Sequence, residues 1–294
     1  MKISDYFRII KPEYRYLKLT PDTSIRNYSS SKIAKSIAHT YKTISKRLKI
    51  ENKKLIIEAP SKFAFFIDVY KTNVSFYFIV PVFYKNIIKE KIRETWSKST
   101  IEETEKPKDF SSTSLNYQLY YKKEDALSLD IDKKSTEPLN SILSVLDIME
   151  DTDRVGIFYN FIPRTQFGWL KTYSDTITKV KNKQIVDREK FTKKYILKTI
   201  LTTIMGIIDN FVDAINDFLG TEKESKNQDI GLLEIPADIL HNNFDISAAT
   251  KKKKDSLNLN TQIIISSESK DITRKENNAL SVCQAYRTID DNNE

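Results

Sequence analysis

The residues able to carry chemistry are few and scattered in this chain of 294 residues. Its five glycines, at positions 156, 168, 206, 220 and 231, stand far apart, and none precedes a Gly-Lys pair. A phosphate loop needs close glycines so that backbone N–H groups approach the phosphates, with Lys and Ser or Thr at fixed offsets. That pattern is missing, which argues against ATP hydrolysis by this chain alone. Of the two histidines, His39 reads as a surface residue on a basic helix. His241 has Asp238 and Asp245 nearby, short of the three or four ligands of one geometry that a metal wants. The single cysteine, Cys283, rules out an intrachain disulfide and a cysteine-based zinc cluster. It falls on a helical stripe, where a small core residue is expected rather than a nucleophile. The acidic pairs Glu102-Glu103 and Asp290-Asp291 read as solvated charge. No catalytic centre, cofactor or metal is expected.

Three features point to binding. Residues 1–54 hold fourteen basic residues against four acidic ones, a net +10 that exceeds the +8 of the whole chain. Charge so placed suits nucleic acid or an anionic membrane, although a Lys-rich solvated surface gives the same count. Here Ile33, Ile37, Tyr41, Ile44 and Leu48 fall at helical spacing and leave Lys32, Lys35, Lys42 and Lys46 mostly on other faces. With Arg47, these are the candidate contacts to an anionic surface.

The second feature is the run from Pro163 to Trp169. Arg164 can pair with a phosphate and Trp169 can stack on a base. An ordinary strand-to-helix connection anchored by a buried Trp is the preferred reading. The third is a long apolar helix over residues 191–219, whose Leu197, Leu201, Ile204, Ile208, Phe211, Ile215 and Phe218 share one face. Its uncharged stretch, residues 199–208, is about half of what a bilayer crossing needs. The later polar positions, Asp209, Asp213 and Asp217, repel anionic lipid, so packing against protein is favoured over the membrane surface.

These residues need elements to hold them. Phe63, Phe65, Ile67 and Val69 alternate, as do Val74, Phe76, Phe78 and Val80, and the hairpin-sized Lys71-Thr72-Asn73 lies between. Tyr84, Ile88, Ile92 and Trp96 then give a helical stripe, followed by a short return strand near residues 99–102. A linker reaches residue 114. The order comes again: Leu115, Tyr117, Leu119 and Tyr121 alternate, with Leu127, Leu129 and Ile131 as the partner. A helix with Leu139, Ile142, Leu143, Leu146 and Met149 follows, then a strand over residues 155–162. Leu257 to Ile265 alternate as a strand of a third sheet unit. Thr273 to Glu276 has capping-box spacing and opens a helix with Leu280, Cys283 and Tyr286. No strand is expected after it, so this unit looks cut.

The expected fold class is α+β, with repeated ferredoxin-like ββαβ units, antiparallel sheets and one long amphipathic helix. The divisions are a basic segment with its helix (1–54), a first unit (55–103), a second unit (115–163), a basic connection with the apolar helix (164–220), and a charged loop with an incomplete third unit (221–294). Hydrophobic residues at 39% and charged residues at 30% describe a globular chain. Arg8, Lys11, Glu13 and Arg15 interrupt any apolar run near the start, so no secretory signal is expected. One cysteine suits the cytoplasm.

Three stretches resemble the N-terminal regions of large transfer ATPases from conjugative elements of Gram-positive bacteria, which are similar to VirB-type and HerA/FtsK-like motors. The first runs Phe7-Arg8-Ile9-Ile10-Lys11-Pro12-Glu13-Tyr14, followed by residues 20–28. The second is residues 74–81 and the helix carrying Trp96. The third is residues 138–146, with a strand ending at Ile162-Pro163. The resemblance implies ferredoxin-like units ahead of a RecA-like motor whose Walker elements lie beyond Glu294, in a chain truncated or split before it. It implies a non-catalytic scaffold in type IV secretion-like DNA transfer, at the inner face of the cell membrane. Other transfer subunits, a motor domain, DNA and further copies of the chain are the implied partners. The alternative is a stand-alone basic nucleic-acid-binding protein of a mobile element.

Overall fold

A computed structural model describes residues 7–22, 30–51, 54–128, 142–186 and 246–286. In chain order these form β1 (Phe7–Ile10), β2 (Tyr14–Thr20), α1 (Ser31–Ala38), α2 (Ile44–Arg47), β3 (Leu48–Glu51), β4 (Lys54–Glu58), β5 (Phe63–Tyr70) and β6 (Asn73–Pro81). Then come α3 (Lys85–Thr95), β7 (Thr100–Thr104), β8 (Leu115–Leu119), a 3-10 turn (Ser144–Asp147), β9 (Arg154–Pro163), α4 (Gln166–Lys181), α5 (Ala248–Asp255), β10 (Leu259–Glu268) and α6 (Ile272–Ala285). The protein is α+β, with a seven-stranded antiparallel sheet in the order β7-β2-β6-β5-β9-β10-β8.

That order divides at the β5–β9 pairing. On one side the chain supplies β2, α1, β5, β6, α3 and β7, with α2, β3 and β4 between α1 and β5, and in space the fourth strand of the main sheet precedes the first, third and second. On the other side β8, β9 and β10 take the first, second and third places, again with the second at the seam. Two residues, Lys71 and Thr72, join β5 to β6. The equivalent connection in the second half is residues 164–258, which contain α4 and α5.

Strand alternation sends one set of side chains to the helices. Leu17, Leu19, Phe63, Phe78 and Val80 pack against Ile33, Ile37, Ile88 and Ile92. Ile67, Val69, Val155, Ile157 and Ile265 pack against Ile142, Val145, Ala279 and Val282. Phe65 and Phe76 touch both clusters, so the helices of both halves cover one face of the sheet. In a separate small sheet, β1-β4-β3, the strands β3 and β4 from the connection between α1 and β5 join β1, which precedes β2.

Several expectations need correction. The first half opens with a strand, β2, inside what read as a basic aromatic segment; Leu17 and Leu19 alternate there and are buried. The helix predicted through Leu48 stops at Ala38. Thr40 and Tyr41 donate backbone N–H bonds to the carbonyls of Ile37 and Ala38, tightening the last turn. Leu48–Glu51 instead pairs with β4. The partner of β8 is β10, not residues 127–131, of which only 127 and 128 are described. β10 therefore belongs to the main sheet and not to a third one. Residues 166–181, read as connection, form α4. Lys251 to Lys254 lie in α5 and not in a turn. The cap of α6 is Asp271, which accepts from the N–H groups of Thr273 and Arg274, so Thr273 lies inside the helix.

Candidate interaction surfaces

The seam carries a buried ion pair that joins the halves. Tyr70 of β5 faces Arg154 of β9, and Asp68 faces Gly156. Arg154 reaches diagonally to Asp68, Nε to Oδ1 at 2.8 Å and Nη2 to Oδ2 at 3.0 Å. Their side chains are 4% and 6% exposed. Burial opposes the arginine's charge, but hydrogen bonding and charge from Asp68 outweigh it and hold its pKa above the ordinary value. Its remaining donors reach the carbonyls of Lys108 and Asp109. The linker, residues 105–114, therefore crosses the sheet face that the helices leave open. Phe110 lies on Gly156 and beneath the guanidinium, 4.1 Å from ring centroid to Cζ.

A second buried acid precedes it by one residue. Asp153 is fully enclosed. Its Oδ2 accepts from the Glu150 N–H at 3.0 Å and from Asn278 of α6 at 3.1 Å. Arg274 pairs with Glu150 and lies 3.7 Å from Asp153. These contacts pin α6 to the turn before β9.

The rest of the open face is aromatic at the seam and polar beyond it. Phe66 stacks between Phe158 and Tyr77. Towards β8, Asn160, Gln262 and Gln118 form a ladder of side-chain amide bonds. Bases stack on such aromatic sheet faces in single-strand binders, but here Phe110 packs edge-on to Phe158 and Phe66 is enclosed.

The basic candidates lie elsewhere, along the helix layer and the small sheet. Lys32 of α1 bonds Glu94 of α3 at 2.7 Å. Lys42 bonds Glu58 at 3.0 Å, and Arg47 donates to the Glu58 carbonyl at 3.2 Å. Lys42 thus holds the Glu58 carboxylate while Arg47 holds the main-chain carbonyl of the same residue. Lys35 and Lys46 are exposed, with no ion pair among the described residues. They are separate points of charge.

Arg164 and Trp169 are brought together, in the role of an anchor. Thr165 caps α4 by accepting from the Gly168 N–H at 3.0 Å. Trp169 is 2% exposed, packs with Ala126, Tyr173 and Ile177, and donates to the Lys254 carbonyl. Arg164 sits 5.6 Å from its ring and donates to Asn260 and Thr172. A ring so enclosed has no face left for a base.

The apolar residues Leu197, Leu201, Ile204, Ile208, Phe211, Ile215 and Phe218, like His241, lie outside the described residues. His39 caps the C-terminal end of α1 and is exposed. Among the described residues no helix is long and apolar enough to cross a membrane, and no group of three His, Cys, Asp or Glu could hold a metal. Sequence reasoning missed Asp68, Asp153 and Arg154. The signal was present for Asp68, a lone acid in the otherwise apolar and aromatic β5. Comparison of the chain with protein-family profiles, curated proteins and solved structures finds no match.

Proposed function

We propose that the chain is a non-catalytic scaffold of a conjugative DNA-transfer ATPase, built from two ferredoxin-like units and placed ahead of a RecA-like motor. The observation that carries this reading is the strand order. The elements β2, α1, β5, β6, α3 and β7, with α2, β3 and β4 inserted before β5 and a fourth-first-third-second strand order in space, support a reading as a split βαβ unit. The second half follows the same order for its first three strands. The sequence resemblance implies such units in series before the motor. Their joint sheet gives a rigid platform from which a motor and channel subunits are positioned at the inner face of the membrane, in an oligomer.

The test is cross-linking and affinity recovery of the tagged protein from its native cells. A P-loop ATPase of the HerA/FtsK type and channel subunits are expected among the cross-linked species. Recovery of neither overturns the proposal. A fluorescent ATP analogue should show no saturable binding to the chain alone, and micromolar binding would count against a purely structural role.

The second reading, a stand-alone nucleic-acid-binding protein, draws support from exposed Lys35 and Lys46 within a stretch of net charge +10.

A further inference from the structure

In the first half of the sheet β7 covers the outer edge of β2, whereas the outer edge of β8 has no neighbour among the described residues. The two outer strands differ in chemistry. β7 carries Glu102 and Glu103, charges of the kind that keep an edge from pairing with foreign strands. β8 has neither charge nor proline, so its outward N–H and C=O groups form a template that no described strand occupies.

The ladders show which positions correspond. Leu17, Phe78 and Phe65 form one row across the first half, and Tyr117, Ile265 and Ile157 form its counterpart. Leu19, Phe76 and Ile67 correspond in the same way to Leu119, Ile263 and Tyr159. α3 and α6 follow the third strand in each half, and an aromatic residue, Trp96 or Tyr286, follows each helix. After it the sequence repeats too. β7 reads Thr100-Ile101-Glu102-Glu103-Thr104, and the chain beyond α6 reads Thr288-Ile289-Asp290-Asp291-Asn292.

We propose that the outer edge of β8 is a docking edge for Thr288-Ile289-Asp290-Asp291-Asn292, seated antiparallel as β7 is seated on β2. Ile101 lies opposite Leu19 and Glu102 opposite Lys18. By the same register Ile289 comes opposite Leu119 on the side covered by α6, and Asp290 opposite Gln118 on the open side. The acids then guard this edge as Glu102 and Glu103 guard the other. The inference rests on the duplicated sheet and stands apart from any role in DNA transfer.

The test is a register-specific disulfide in a Cys283→Ser background. Directly opposite residues of antiparallel strands have Cβ atoms about 4.5–5.5 Å apart, within reach of a cross-link after small adjustment. Gln118→Cys with Asp290→Cys should close within one chain roughly tenfold faster than Gln118→Cys with Ile289→Cys, whose second thiol faces the other side. Equal rates, no cross-link, or a cross-link found only as a covalent dimer would overturn the proposal. Hydrogen exchange on the unmodified chain gives an independent reading. All amides of Leu115–Leu119 should be protected, and rapid exchange at alternate residues would mean an open edge.

Discussion

Phe66 and Phe158 stack at the centre of the seam, with ring centroids 4.3 Å apart and planes 5° from parallel. They are register partners, and the row correspondence that relates Phe65 to Ile157 and Ile67 to Tyr159 also relates Phe66 to Phe158. Each ring thus occupies in its own half the place that the other occupies in its half, the self-complementary contact expected on a two-fold axis. Truncating either ring, as in Phe158→Ala, should cost about 3–5 kcal/mol. With Trp169→Phe as background, Trp96 reports on the first half alone. Its urea midpoint should fall together with the far-ultraviolet signal of the whole chain. A midpoint at Trp96 unmoved by Phe158→Ala would mean that the halves unfold independently.

Asp68 and Arg154 break this symmetry, because the equivalents are Asn160 and Lys62. The pair is made once. Removing one partner strands a buried charge, so Arg154→Met should cost about 3–5 kcal/mol. Adding Asp68→Leu removes the stranded carboxylate and should recover part of that loss. The carbonyls of Lys108 and Asp109 still lack their donor, so recovery is incomplete. Urea denaturation of the four proteins in the cycle checks this, and a double variant no more stable than Arg154→Met would refute it.

Gly156 is where the linker comes closest to the sheet. A Cβ there would lie 2.5 Å from Cζ of Phe110 and 3.0 Å from Cε2 of Phe66. Gly156→Ala must therefore push Phe110 off the face, at a cost of about 1–3 kcal/mol. Cleavage of the linker by a low concentration of trypsin after Lys108 should speed up, since Pro107 blocks cleavage after Lys106. Phe110→Ala should speed it similarly without the clash. Unchanged cleavage in both variants would show that the ring does not hold the linker.

What the sequence disclosed and what it hid follow from where the signals sit. The β5–β6 hairpin was legible because both strands alternate around a two-residue turn. β2 was equally alternating, but its Arg15 and Lys18 drew attention to charge. The join between halves was not legible, because β5 meets β9 across 83 intervening residues, 71–153, and no local pattern marks a strand pairing of that range. Trp169 as an anchor was foreseen from its strand-to-helix setting. The division of the basic candidates, with Lys32 and Lys42 paired and Lys35 and Lys46 without an ion pair among the described residues, depends on Glu94 and Glu58, which only folding brings near.

Asp153 gives the fold an acid sensitivity. Burial pushes its carboxyl up, but the N–H of Glu150, hydrogen bonds from Ser269 and Asn278 and the charge of Arg274 together hold it below the ordinary aspartate value of 3.8. A group depressed in the folded state contributes stability above the unfolded value, which is lost as pH falls through the folded one. At neutral pH Asp153→Asn should cost about 1–3 kcal/mol. The gap between wild type and variant should narrow as pH falls through the unfolded value and on through the depressed folded one. Thermal unfolding across that window measures it, and a constant gap would refute the assignment.

The basic surface separates a binding site from a solvated one by its salt dependence. Lys32 is committed to Glu94, whose carboxyl Lys32 and Lys91 hold down at about 2, and Lys42 is committed to Glu58. A phosphate must compete with those carboxylates for these two ammonium groups, but not for Lys35 or Lys46. Each phosphate contact on duplex DNA adds about 0.9 to the slope of log affinity against log salt. Lys35→Ala with Lys46→Ala should therefore reduce that slope by nearly 2, on the order of two contacts. Lys32→Ala with Lys42→Ala should reduce it less, because each loss also releases an acid that repels DNA without removing a full contact. Fluorescence anisotropy with a short duplex at four salt concentrations gives both slopes. Slopes that match wild type in both variants would leave the +10 of the first 54 residues as solvated charge, and the nucleic-acid reading would fall with it.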